Sequence, residues 1–350
     1  MIVASSTLCR KHEAVTTVWI SLSATPSTLR RANIREQVQG RQSVSECSKY
    51  TIQAKRKSVF FLLFCLFNRT FVHMKRKMFC EICPFTYRLS MEKEIMKRCL
   101  KDTFQHTLFA KERTDTALPV LVYRHNSLIR RRLGNVNMQL QENKATNLAL
   151  AVKHIDGLLI HPGETFSVWK QVGRTTKKKG YKEGLTIAKG QPAQGIGGGL
   201  CQLSNLIHWM VLHSDLTITE HHHHDGLDLF PDFGRQIPFG TGTSISYNYI
   251  DYRVKNNTSN TYQLRLWVDD EYLCGELRAE EALPHTFHIH AENEFFSREG
   301  EDVYRNGEVY RDTIDRVTGE CINHELIRTN HAKVMYECPP SVVIREQEEQ

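Results

Sequence analysis

The 350-residue chain lacks most of the signatures that assign a function at a glance. It has no zinc-finger spacing, no RNP-like stretch and no long basic helix, which removes the usual routes to nucleic acid. No apolar run approaches the roughly 20 residues that a membrane-crossing helix needs, so no membrane span is expected. Glycines cluster at one place, but no Gly-Lys-Ser/Thr follows them, which argues against a phosphate-binding loop. HExxH is absent. The one CxxC, Cys80-Glu81-Ile82-Cys83, has no second pair downstream and reads as incidental thiols. There is no internal repeat, and no low-complexity tract beyond one histidine run.

What is present is ordinary in bulk. Hydrophobic residues at 40% and charged residues at 24% suit a globular protein. The formal net charge of +7 is mildly basic, which suits solubility and anionic surroundings without requiring nucleic acid. The ten cysteines are scattered through a chain too large to depend on disulfides. That fits a reducing compartment, and a cytoplasmic location is the expectation.

Residues 1–73 differ from the rest. The stretch SLSATPSTLRRANIREQVQGRQSVSECSKY follows neither helical nor strand periodicity. Lys55, Arg56 and Lys57 then precede a nearly all-apolar run from Ser58 to Phe67, the outline of a secretory signal without a small-x-small cleavage site. Residues 1–73 are therefore read as an extension, disordered or not native, with the working protein starting at Met74. If residues 58–67 do act as a signal, the protein is instead associated with the envelope. Residues 74–135 form an N-terminal helical and strand region, 136–281 the central domain, and 282–350 a β-rich region of short strands with a polar tail.

From Met74 onward the periodicity predicts a helix over 91–113, a strand over 118–125 and an amphipathic helix over 145–158. Asn143 or Thr146 is available to cap that second helix, and Gly157 to end it. Pro162-Gly163 marks a turn before a short strand at 165–169. Residues 201–213 are again helical, with Leu203, Leu206, Ile207 and Met210 as the packing stripe. Alternating runs follow at 216–220 and through TSISYNYIDYRVKNNT and TYQLRLWVDDEYLCGELRAE, with turns at Asn256-Asn257 and Asp269-Asp270. The fold class is α+β: a glycine-rich turn enters a central helix packed on a mostly antiparallel sheet, with a helical region N-terminal to it.

Functional interest centres on GIGGGLCQLSN, residues 195–205. Gly197, Gly198 and Gly199 clear the approach to Cys201 at the start of a helix. A glycine turn feeding a helix offers free N–H groups and a positive dipole end, which favour a thiolate and can hold an oxyanion. Such a nucleophile needs a base. His221, His222, His223 and His224 lie one helix and one strand downstream, the chain order of papain-like and transglutaminase-like enzymes. Strand alternation sends His222 and His224 to one face. The bland reading is a structural turn with the thiol packed as a small hydrophobe. A third reading gathers a transition metal on the histidines with His208 or His213, but residues adjacent in sequence ligate one ion only under strain; no metal and no cofactor is expected.

The segments HPGETFSVWKQVG, YKEGLTIAKG, GGGLCQLSNLIHWMVLHSDLTITE and DYRVKNNT resemble the VanW family, named for its place in vancomycin-resistance clusters, over roughly residues 136–281. The resemblance implies a link to glycopeptide resistance and the cell envelope. Gly198, Gly199, Cys201, Gln202 and Ser204 match its glycine–cysteine motif. His224 matches the histidine after the family's Glu-Arg pair, with His221 where arginine is usual. The family's Pro-x-Gly-x-Asp becomes Pro238, Gly240 and Gly242, so the aspartate is missing. Asp225, Asp228 or Asp251 could stand in for it as an orienting group.

Two functions follow from the resemblance. One is a Cys/His acyl-transfer or amide-hydrolysing enzyme acting on peptidoglycan stems or precursors. Cys201 is then the nucleophile, His224 the base, and the Cys201 and Gln202 N–H groups the oxyanion donors, with the Gln202 amide a further candidate. Ser204, His222, Glu164 and Trp169 complete the candidate binding residues, although Glu164 and Trp169 equally fit a turn and a core. The other function is a non-catalytic binding module for cell-wall fragments or a protein partner.

Overall fold

The computed structural model describes residues 78–130, 138–188, 191–223, 226–228, 231, 237–247, 249–340 and 342–346, within the unit Lys77–Gln350. The expected extension 1–73, its apolar run and the Met74 start lie outside the described residues.

Strands dominate and helices are few, an α+β protein. Helix α1 (Pro84–Phe104) precedes β1 (Val120–Leu128), α2 (Met138–Val152), β2 (Leu158–Ile160), β3 (Thr165–Ser167) and the short α3 (Val168–Val172). A hairpin of β4 (Glu183–Ala188) and β5 (Gln191–Ile196) leads into α4 (Cys201–Leu212). Then come β6 (Thr217–Glu220), β7 (Leu227–Asp228), β8 (Arg253–Lys255), β9 (Tyr262–Val268), β10 (Tyr272–Ala279), β11 (His285–Glu299), β12 (Asp302–Asp315), β13 (Cys321–Val334) and β14 (Ile344–Glu346). The sheets have the orders β1-β10-β9-β2, β14-β11-β12-β13-β7, β3-β8-β6 and β4-β5. Among the described strands, pairings are antiparallel except β11 with β14 and β13 with β7.

Helix α4 is buried almost from end to end, and that explains its sequence. Leu203, Leu206, Ile207 and Met210 sit in the main core with Leu264, Leu266, Leu273 and Leu277 of β9 and β10. Burying each such side chain stabilises the fold by about 2 kcal/mol. A side chain on Gly275 of β10 would meet Met210 at 2.9 Å and Leu206 at 3.0 Å, so the glycine is what lets the helix lie so close to the sheet. Further along, Trp209 and Leu212 reach a second core with Ile289 of β11 and Val309 of β12. The same helix therefore ties two sheets together.

Helix α1 is joined to this body by charge. Asp102 accepts two hydrogen bonds from Arg253 (2.6 and 3.0 Å) and pairs with Lys170 at 3.1 Å. Arg98 pairs with Glu220, and Arg253 also donates to Asp251 at 2.8 Å. Burial pushes the Asp102 carboxyl up, but Arg253 and Lys170 outweigh it and hold it below the usual carboxylate range.

Several elements differ from the periodicity. Helix α1 begins at Pro84, which presets φ for a first turn, and ends at Phe104, two residues before His106 with φ 47°. Helix α2 begins by Met138 and ends at Val152, so Asn143 and Thr146 lie inside it and cap nothing. Gly157 ends a following turn at φ 77°, where a Cβ would meet the Thr114 carbonyl at 2.6 Å. The strand expected through Trp169 stops at Ser167, whose hydroxyl accepts from the Lys170 N–H (3.2 Å) and starts α3. The short strands expected after residue 282 are three long ones of 14 or 15 residues, folded back at Gly300 and Gly319. Among the described residues, no helix is long and apolar enough to cross a membrane.

Candidate functional site

The glycines before Cys201 are explained by close packing. Gly197 and Gly199 have φ of 77° and 93°, and Gly198 lies against the backbone of β4, where a Cβ would come within 2.2 Å of the Gly184 carbonyl. Fully buried Asn147 of α2 clamps this contact. Its amide donates to the carbonyls of Lys182 (3.0 Å) and Gly198 (2.9 Å), while its oxygen accepts from the Lys182 N–H (2.8 Å).

The turn also uses one of the two N–H groups expected to hold an oxyanion, that of Gln202, while the Cys201 N–H is turned to its own sulfur. The Gln202 N–H donates to the Gly199 carbonyl (3.1 Å), and those of Leu203 and Ser204 donate to Leu200 (3.0 and 3.3 Å). The Gln202 side-chain amide reaches β1, donating to Ser127 Oγ (2.8 Å) and to the carbonyls of Ser127 (3.2 Å) and Leu128 (2.9 Å). Gln202 thus fastens α4 to β1, and neither of its donors is left over for an oxyanion.

Cys201 is the first residue of α4 and is half-buried. Burial pushes the thiol up, against the opposing pull of the Ile245 and Cys201 backbone N–H groups. The desolvation outweighs the dipole, so the thiol rather than the thiolate is favoured.

Around the sulfur, the polar face of α4 meets the segment Thr241–Tyr247. Ser204 is buried, pairs its hydroxyl with that of Thr243 and donates to the Cys201 carbonyl (3.0 Å). Asn205 accepts from the Thr243 N–H (2.6 Å) and hydroxyl (2.9 Å). Two turns from Cys201, His208 is 1% exposed and pairs through Nδ1 with the Tyr252 hydroxyl at 3.1 Å. Its Nε2 has no hydrogen-bond partner among the described residues. The His221 ring lies 4.1 Å from His208 and 3.9 Å from His223, and its Nε2–H donates to the Gly242 carbonyl (3.3 Å). Burial and the neighbouring rings push His208 well below the ordinary histidine value and His221 down to about 3. Both are neutral imidazoles at physiological pH. A Cβ on Gly242 would meet nothing within 4 Å, so open space lies beside the His221 contact.

The other predicted residues sort differently. His222 turns toward Glu220 (3.0 Å), and His224 and Asp225 lie outside the described residues. Glu164 accepts from the His161 N–H (2.9 Å) and closes the Pro162-Gly163 turn. Trp169 is 6% exposed, donates to the Ile250 carbonyl (2.9 Å) and stands edge-on to Tyr247, a core position. Asp228 accepts from the Tyr336 hydroxyl at 2.8 Å. Asp251 is fully buried and accepts from Ser167 Oγ (2.5 Å), Arg253 Nε (2.8 Å) and the N–H groups of Tyr252 (2.9 Å) and Trp169 (3.2 Å). Asp228 and Asp251 therefore already have partners of their own. His208 was the residue that sequence reasoning placed only as a metal neighbour. Its seven-residue spacing from Cys201, which puts both on one helix face, was the available signal.

The comparisons with known proteins agree with this motif set. The family described as VanW like protein matches residues 143–278. The vancomycin B-type resistance protein VanW of Enterococcus faecalis is 35% identical over 275 residues, covering 78% of this chain and 99% of that protein. The uncharacterized protein YoaR of Bacillus subtilis is 31% identical over 127 residues, 35% of this chain and 39% of that one. No solved structure matches. With a curated relative aligned over nearly its whole length, the chain belongs to the VanW family.

Proposed function

We propose that this protein is linked to glycopeptide resistance in the cell envelope as a binding module for peptidoglycan stem peptides or their precursors. The printed name of the Enterococcus faecalis relative supports the resistance link. The binding reading rests on one observation: the Gln202 donors beside Cys201 are already satisfied by Gly199 and by β1, and burial pushes the half-buried Cys201 thiol up. A site of this kind offers neutral imidazoles, hydroxyls and open space beside Gly242, which suits recognition of a peptide through hydrogen bonds.

One observation favours the enzyme reading as the alternative. The Ile245 and Cys201 backbone N–H groups both act on the sulfur, and His208, a neutral imidazole, lies on the same helix face. With His208 about 10 Å along the helix from Cys201, a ligand would have to bridge the thiol and the imidazole for the two to act together. Calorimetric titration of the full chain with a synthetic stem pentapeptide separates the two. A binding module keeps its affinity in Cys201→Ser and returns the peptide intact, while an enzyme releases a product that Cys201→Ser abolishes with the fold unchanged.

A further inference from the structure

A second group of histidines, remote in sequence from the first, lies on the long C-terminal hairpins. On β11, Phe287 and Ile289 face the core shared with Trp209, so His288 and His290 project from the opposite face. Register places Asp312 of β12 opposite His288, and His324 of β13 opposite Asp312. One ligand atom from each of His288, His290 and Asp312 falls within 4.8 Å of the others. His290 Nδ1 is 3.6 Å and His288 Nδ1 3.8 Å from the same oxygen, Asp312 Oδ2. Ligands of a tetrahedral zinc ion stand about 3.3 Å apart, so the two nitrogen–oxygen separations need to close by only a few tenths of an ångström and the two imidazoles by no more than about 1.5 Å, a side-chain adjustment.

The surroundings supply the outer contacts that metal ligands use. The Nε2–H of His290 donates to Glu292 (2.9 Å), which leaves Nδ1 of the neutral ring as a lone pair aimed toward Asp312. That Nδ1 is buried and has no hydrogen-bond partner among the described residues. A lone pair facing a carboxylate oxygen is repulsive until a cation lies between them. The other carboxylate oxygen, Oδ1, accepts from His324 Nδ1 (2.6 Å), so Asp312 is held with Oδ2 turned to the two rings.

We propose that His288, His290 and Asp312 bind one divalent transition-metal ion of the zinc class, oriented by Glu292 and His324. Two imidazoles and a carboxylate suit zinc, nickel or copper over magnesium or calcium. The side chain of His288 is 65% exposed, so the ion has a path in and a fourth position open to water. The site owes nothing to Cys201 or to the histidine run, and it stands whichever reading of that site is correct.

The test is calorimetric titration of the full chain with zinc chloride, using protein purified without an immobilised-metal column, stripped with EDTA and kept reduced. The wild type is expected to bind one more equivalent than the His288→Ala/His290→Ala double variant, whose cysteines and histidine run are unchanged. Glu292→Gln, which leaves the three ligands in place, is expected to weaken that equivalent by about 10- to 100-fold. Because His288 is exposed, the single variant His288→Ala with an unaltered circular-dichroism melt serves as the folding control. Identical isotherms for wild type and the double variant would overturn the proposal, and so would the absence of any zinc binding by the wild type. In either case Asp312 and its histidines form an ordinary protonated ion-pair cluster.

Discussion

The two histidine groups of this protein differ in what surrounds the imidazoles. Around α4, His208 and His221 are packed against each other, a phenol and a carbonyl, and burial drives them to the neutral form. On the β11–β13 face, His288, His290 and His324 gather around a single carboxylate, Asp312, whose hydrogen bond from His324 contributes most to holding it below its usual range. The first group is announced by four adjacent histidines. The second is scattered between positions 288 and 324 and is assembled only by strand register. Adjacency in sequence is thus a poor guide to a shared site: it disperses His221 and His222 toward Gly242 and Glu220, whereas pairing brings His288 and His324 to one acid.

The comparison can be broken most forcefully at the glycine turn. Gly198→Ala forces a Cβ onto the Gly184 backbone and is expected to cost about 1–3 kcal/mol in a urea melt, loosening the α4 site while sparing the β11–β13 face. If Gly198→Ala were neutral, the close-packing account of the glycines would be wrong.

Acid sharpens the contrast by a smaller amount. His208, His221 and His213 all have folded values below the ordinary one, with His221 at about 3 and His213 at about 4. Each takes up a proton more readily in the unfolded chain. Stability is therefore complete above about pH 6.5 and falls as pH drops from there toward 4. Urea midpoints at pH 7.5, 5.5 and 4.5 should decline, and His213→Gln should flatten the decline. A midpoint that rises on acidification would contradict the buried-neutral assignment.

The smallest effect belongs to Gly242→Ala, which adds a methyl group to open space and should change stability by no more than about 0.5 kcal/mol. A larger loss would mean that the space beside His221 is filled in solution.

Much of this was legible from residue patterns, and the failures have physical causes. The start of α4 at Cys201, its packing stripe and the Asp269-Asp270 turn follow from periodicity and from a side chain that accepts the Glu271 and Tyr272 N–H groups. The role of the glycines was misjudged because free N–H groups are a property of an isolated helix end. Here the preceding turn supplies carbonyls to three of them. Asn147 gave no signal, since an asparagine in a helix reads as surface until β4 is placed against it. The Asp102–Arg253–Asp251 network joins residues up to 151 positions apart, and no spacing rule anticipates it.

The account depends most on the state of the Cys201 sulfur. Timed iodoacetamide labelling of the folded chain at pH 7, read cysteine by cysteine by mass spectrometry, tests it directly against exposed Cys83, whose thiol is lowered chiefly by its hydrogen bond with the backbone at Thr86. The expected result is early modification of Cys83 and late modification of Cys201. Cys201 reacting first, with a labelling midpoint below pH 7, would contradict the raised thiol and restore the nucleophile.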